Sequence, residues 1–130
     1  MAKLVRKSKK ESAEPDFFPA TRRALELAAD KKAIDPRAYD LRGLTVIADS
    51  FVICSASSDP HMKAIHASIV AGMKEDGWAA RRTEGGSKDK WMVVDFGSII
   101  VHIFREDSRA FYDLDALWGD APEIKLDAEA

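Results

Sequence analysis

Cysteine is almost absent from this chain: one residue, Cys54, in 130. A disulfide framework and every multi-cysteine zinc pattern are therefore excluded. Cys54 has no obvious base and sits inside an apolar run, so it reads as a small buried hydrophobe. Long hydrophobic runs are missing too, and none approaches the ~18 residues of a membrane span. The basic start, Met1 to Lys10, leads into Glu11 and Glu14 rather than an apolar stretch, which argues against a signal peptide. A reducing, cytoplasmic setting is expected. What is present is ordinary for one globular domain: 46% hydrophobic and 32% charged residues, enough for a modest core without staples.

The net charge of −2 hides an asymmetry. Residues 1–10 hold five of the twenty basic residues (Lys3, Arg6, Lys7, Lys9, Lys10) and no acid. Fifteen basic residues remain against twenty-two acidic ones, so the other 120 residues carry −7. An acidic body matches phosphates poorly, because nucleic-acid affinity rests on cationic contacts that release counterions. It suits a basic partner, or serves simply to keep the domain soluble.

Residues 1–16 read as a disordered basic arm, residues 17–119 as the folded domain, and residues 120–130 as an acidic tail. Residues 19–33 have a helical pattern with Thr21, Ala24, Leu25 and Ala28 on one face, stopped by Asp35-Pro36. A short strand follows at residues 38–41, and Phe51-Val52-Ile53-Cys54 reads as a buried strand. Asp59 as N-cap and Pro60 at the first helical position open a second helix, with Met62, Ile65, Ile69 and Met73 as its stripe and Gly77 as its stop. Residues 78–84 read as extended, which predicts a right-handed crossover between parallel strands. Gly85-Gly86-Ser87-Lys88-Asp89 and Gly97-Ser98 signal two consecutive hairpins. A last helix spans residues 107–118, with Phe111, Leu114, Leu117 and Trp118 facing the sheet. The class is α/β: a single domain with a small mixed sheet packed with helices.

With Phe96 and Gly97 as turn residues, Val93 faces Ile100 and Trp91 faces His102. Side chains alternate along a strand, so Trp91, Val93, Asp95, Ile100 and His102 share one side. Met92, Val94, Ile99, Val101 and Ile103 share the other, which is purely apolar and must be core. The mixed face is either covered by a helix or held open for a partner.

Catalytic chemistry finds little support. His61 and His66 are five apart, not the three or four that set two ligands on one helical face. His102 beside Trp91 or Asp95 reads as structural or interfacial. Gly85-Gly86-Ser87 followed by Asp95 resembles the start of a nucleotidyltransferase site, where two carboxylates one residue apart hold metal ions. Gly97 stands in place of the second carboxylate. Asp113 and Asp115 have the right spacing but lie in a helical segment, where they point to different sides. No catalytic residue, metal ligand or cofactor is assigned, and a nucleotidyltransferase-like enzyme or nucleotide-binding protein is the alternative reading.

Ala29-Asp30-Lys31-Lys32-Ala33, Asp40-Leu41-Arg42-Gly43-Leu44 and Ile47-Ala48-Asp49-Ser50-Phe51-Val52-Ile53-Cys54-Ser55 resemble the opening of the Iojap-like family of ribosomal silencing factors. The likeness runs on through Trp91-Met92-Val93-Val94-Asp95-Phe96-Gly97 and Ile100-Val101-His102-Ile103-Phe104. It ends with Phe111-Tyr112-Asp113-Leu114 and Leu117-Trp118-Gly119-Asp120-Ala121-Pro122. The resemblance implies a nucleotidyltransferase-like fold without the catalytic carboxylate pair and without enzymatic activity. It also implies docking on the large ribosomal subunit at large-subunit ribosomal protein fourteen, which blocks the small subunit from joining. On that basis the mixed face is expected to be exposed and partner-binding, through Trp91, Val93, Asp95, Ile100 and His102 with Glu84 and Gly85 beside them. Trp91 is the expected anchor. The five cations of residues 1–10 are candidates for ribosomal RNA contact, and a homodimer through the same face is a further alternative.

Four residues depart from the family pattern, and the basic arm of residues 1–10 is not part of it. Ala56 stands where glycine is usual, Pro60-His61 replaces a more polar pair, and Ser98 replaces a common acid at the hairpin tip.

Overall fold

The computed structural model describes residues 17–126. Five strands, β1 (Ile34–Asp40), β2 (Ser50–Ala56), β3 (Arg82–Gly86), β4 (Trp91–Asp95) and β5 (Ile99–Arg105), form one mixed sheet in the order β1-β2-β5-β4-β3. β2 and β5 are parallel, and the other neighbouring pairs are antiparallel. Helices α1 (Phe17–Asp30) and α2 (Asp59–Glu75) cover one face. The short helices α3 (Glu106–Tyr112) and α4 (Leu114–Leu117) follow β5, and Leu114 and Trp118 pack on the other face. The α/β class and the small mixed sheet with helices are as expected.

Periodicity explains the larger core. Thr21, Ala24, Leu25 and Ala28 of α1 are all buried, as are Met62, Ile65, Ile69 and Met73 of α2. They meet Met92, Val94, Ile99, Val101 and Ile103, the apolar face of the β4–β5 hairpin. Burying each such aliphatic side chain contributes about 1.5–3 kcal/mol. β2 is buried at all seven positions because it has a core on each side.

Several local details differ from the sequence expectation. α1 ends at Asp30 rather than Ala33. Lys32 takes a left-handed conformation (φ 59°), and Ala33 and Lys32 donate their N–H groups to Ala28 and Ala29. This is a Schellman ending reached without glycine. The freed chain enters β1 early, through a bulge between Ile34 and Arg37 that accommodates Pro36. At α2 the N-cap is Ser58, whose hydroxyl accepts from the His61 N–H; Asp59 is the first helical residue and Pro60 the second.

β3 runs parallel to β2 but is not its neighbour, since β5 and β4 lie between them. The apolar β5 takes the place beside β2, and the polar β3, exposed at four of five positions, takes the sheet edge. The final helix is two. Asp113 adopts φ 53° between α3 and α4, and neither piece has a buried residue. Phe111 is 81% exposed and Leu117 66%, so of the four residues expected to face the sheet only Leu114 and Trp118 do so. Residues 121–124, read from sequence as acidic tail, lie against β1. Asp40 donates to the Pro122 carbonyl, Ile124 donates to that of Ala38, and Ala121 and Ile124 are buried. The basic arm lies outside the described residues.

Candidate docking face

The β4–β5 hairpin fixes which side chains meet. Its register pairs Trp91 with Phe104, Val93 with His102 and Asp95 with Ile100. Each partner is displaced by two residues from the expected register, because the turn residues are Gly97 and Ser98 and Phe96 donates to the Ile99 carbonyl at 2.9 Å. The first turn position has φ +96°, which glycine adopts freely and phenylalanine does not. A shift of two preserves the faces. Trp91, Val93, Asp95, Ile100 and His102 therefore share one side as expected, and Phe104 joins them.

Around Trp91 the face is aromatic. The indole stacks on Phe104 (centroids 4.9 Å apart, planes at 26°) and meets the Tyr112 ring at 4.6 Å. Its Nε1 donates to His102 Nδ1 at 3.1 Å. That bond assigns the imidazole proton to Nε2, which is buried without a hydrogen-bond partner among the described residues. His102 is 6% exposed and packs on Phe51 at 4.5 Å. Burial pushes its pKa down to about 4. Read from sequence as part of the docking set, His102 instead lies beneath the face, where it orients Trp91.

The remaining members are distributed unevenly. Val93, Asp95 and Ile100 are partly buried, and Ile100 packs against the smaller core of Tyr39, Leu41, Phe51, Ile53 and Phe104. Asp95 Oδ1 accepts the Gly97 N–H at 2.7 Å, so this carboxylate is engaged in shaping the turn. Glu84 sits exposed on edge strand β3, opposite Val93 and paired to Arg82 at 3.0 Å. Gly85 has φ +77°, and a Cβ there would run into the Trp91 carbonyl oxygen. Glycine thus lets the edge strand lie close to the backbone that carries the indole.

Sequence reasoning did not place four residues that adjoin or brace this face: Phe104, Tyr112, Phe111 and Arg109. Phe104 follows His102 by two residues and was accessible to the alternation rule. Tyr112 and Phe111 depended on the break at Asp113. The bonds of Arg109 to residues 54–75 positions away leave no local signal.

Other candidate groups have structural partners. Asp115 accepts from Arg109 and Tyr39; burial pushes its pKa up, but these hydrogen bonds and the Arg109 charge outweigh that and hold it below the usual value. Burial and the bond to Asp115 push Tyr39 up to about 12. Cys54 is fully buried and pushed up to about 12 by desolvation, which leaves an unreactive thiol. His61 Nε2 meets the Lys31 carbonyl at 2.8 Å and its Nδ1 faces the Ser57 N–H at 3.0 Å. It therefore ties the start of α2 to the turn after α1. His66 lies on the same helix with Nε2 3.2 Å from Thr83 Oγ1. Among the described residues no group of three or more His, Cys, Asp or Glu side chains is placed to hold a metal ion. No helix among them is long and apolar enough to cross a membrane.

Comparison with known proteins gives consistent matches. The model of the family described as "Ribosomal silencing factor during starvation" matches residues 14–130. The ribosomal silencing factor RsfS of Bacillus subtilis is 41% identical over 98 residues, covering 75% of this chain and 83% of that protein. The chloroplastic protein Iojap of Zea mays is 32% identical over 99 residues, covering 76% of this chain and 43% of that longer protein. Among solved structures, a Chromobacterium violaceum protein superposes with a TM-score of 0.77 at 28% identity, covering 81% of this chain and 88% of that one. One from Bacillus halodurans gives 0.71 at 31% identity, covering 82% and 97%.

Proposed function

Because the chain belongs to the ribosomal silencing factor family, we propose that it represses translation by docking on the large ribosomal subunit and blocking the small subunit from joining. The contact is made in the cytoplasm at the intersubunit face, through large-subunit ribosomal protein fourteen. Steric blockade needs occupancy and no chemistry, so the proposal assigns the protein no catalytic step and no cofactor.

The observation that carries this reading is the oriented, partly exposed indole of Trp91 next to the exposed edge strand β3. Phe104, Tyr112 and His102 fix the ring in advance, which lowers the ordering cost of binding. Such an aromatic anchor with few charges at its centre is what interface cores favour. The apolar surface continues onto α3, where Phe111 is 81% and Tyr112 49% exposed. The net −7 outside residues 1–10 complements a basic ribosomal protein. The test is sedimentation of the purified protein with separated subunits. Co-sedimentation with large and not small subunits is expected, and equal binding to both would sink the reading.

The basic arm is tested separately. Deleting residues 1–15 should preserve folding and leave the salt dependence of large-subunit binding unchanged, which makes the acidic body and the Trp91 face the whole recognition surface. A flatter slope in log Kd against log salt, by somewhat under one unit per lost phosphate contact, would assign residues 1–10 to ribosomal RNA instead.

A further inference from the structure

The α3–α4 segment lies on the sheet with very little apolar anchorage. Neither helix has a buried residue, and its packing comes from the partly buried Leu114 and Trp118 and from Tyr112 against Trp91. Yet one side chain in it, Arg109, is only 11% exposed. Its guanidinium grips the Asp115 carboxylate with two bonds, Nε to Oδ1 and Nη2 to Oδ2, both 3.0 Å. Its Nη1 reaches the carbonyls of Ile34 (3.1 Å) and Asp35 (2.8 Å) and the Ser55 hydroxyl (3.1 Å). Ile34 and Asp35 begin the irregular stretch of β1, and Ser55 is near the end of β2. Tyr39 donates at 2.8 Å to Oδ2 of the same carboxylate, the oxygen that also accepts from Nη2. One cation thus joins α3, α4, β1 and β2.

We infer that Arg109 is a positioning residue for docking, pinning α3–α4 to the sheet and so holding Tyr112 against Trp91. This rests on the docking reading above. Tyr112 follows Arg109 by one helical turn, so the pin and the ring move together. Among the described residues the other ion pairs near the segment are narrower: Lys90 meets Asp107 of α3 at 4.0 Å, and Arg105 pairs with Asp59 of α2 from the strand end before α3 begins. The role needs arginine, because a lysine ammonium is a point charge that cannot hold a carboxylate side-on while also bonding two carbonyls and a hydroxyl.

The experiment uses the full chain with Arg109→Lys and Asp115→Asn, measured by hydrogen exchange and by co-sedimentation with large subunits. In Arg109→Lys, amides of residues 106–118 should exchange at least tenfold faster while α2 is unchanged, and affinity for large subunits should fall about tenfold. Asp115→Asn keeps the bonds to Ile34, Asp35 and Ser55, so it should move both readouts the same way by less; it decides the matter if Arg109→Lys unfolds. Faster exchange in α3–α4 with wild-type affinity would overturn the positioning role and leave docking intact. Unchanged exchange would overturn the pin itself. A wild-type protein that ignores large subunits would instead overturn docking, and with it the positioning role, whereas exchange alone would still decide the pin.

Discussion

Replacing Trp91 with alanine should weaken large-subunit binding by about 2–4 kcal/mol, roughly 30- to 1,000-fold in Kd. Truncating a desolvated aromatic anchor removes its contact area and lets water into the centre of the interface. The fold should survive. Trp91 is partly buried and lies outside the larger core, so losing its contacts with Phe104, Tyr112 and His102 should cost about 2 kcal/mol of stability. That is less than the 5–15 kcal/mol of a typical domain. The signature is therefore lost co-sedimentation with near-normal circular dichroism. Trp78→Phe is the control: Trp78 packs against the α1–α2 side of the sheet, so its binding should be unchanged. If Trp91→Ala unfolds the protein, the indole belongs to the core and the docking face lies elsewhere.

Acid should destabilise the protein from about pH 6.5 downward. His102 binds a proton at about pH 4 in the folded state, against an ordinary 6.5 in the unfolded chain, because burial disfavours the cation. Between those values the unfolded state holds more protons, so stability falls as the pH falls. Full stability holds above about pH 6.5, and the loss reaches about 3 kcal/mol near pH 4, at about 1.4 kcal/mol per unit. Protonation also occupies Nδ1, the acceptor for the Trp91 N–H, so the anchor loses its orienting bond in the same step. Below pH 4, Asp40 and Asp115, whose pKa values are lowered mainly against their burial by bonds from Arg42 and Arg109, add to the decline. Urea melts at pH 7, 5.5 and 4.5 check this: His102→Phe should flatten the slope over that window. A wild-type midpoint that does not move would contradict the burial of a neutral imidazole.

Periodicity made much of this fold legible. The α2 stripe and the two faces of the β4–β5 hairpin follow from spacing alone, and the faces survived a register error because the error was an even number. Left-handed residues were harder to foresee. Lys32 and Asp113 end helices without glycine, and the second of these turned Phe111 and Leu117 outward. Strand order was hidden because β3 and β5 both read as extended, and only the difference in burial decides which one takes the centre. At the proposed docking face, alternation brought together Trp91, Val93, Asp95, Ile100 and His102, but burial placed His102 below the surface. Arg109 was invisible because its bonds to Ile34, Asp35 and Ser55 join residues 54–75 positions apart.

The central claim is that occupancy of the large subunit excludes the small one. Its most direct test mixes separated large and small subunits with increasing amounts of the full-length protein and resolves the joined particles on a density gradient. Joined ribosomes should decrease as the protein saturates the large-subunit peak, and Trp91→Ala should leave them unchanged. An undiminished joined peak that itself carries the protein would contradict the account.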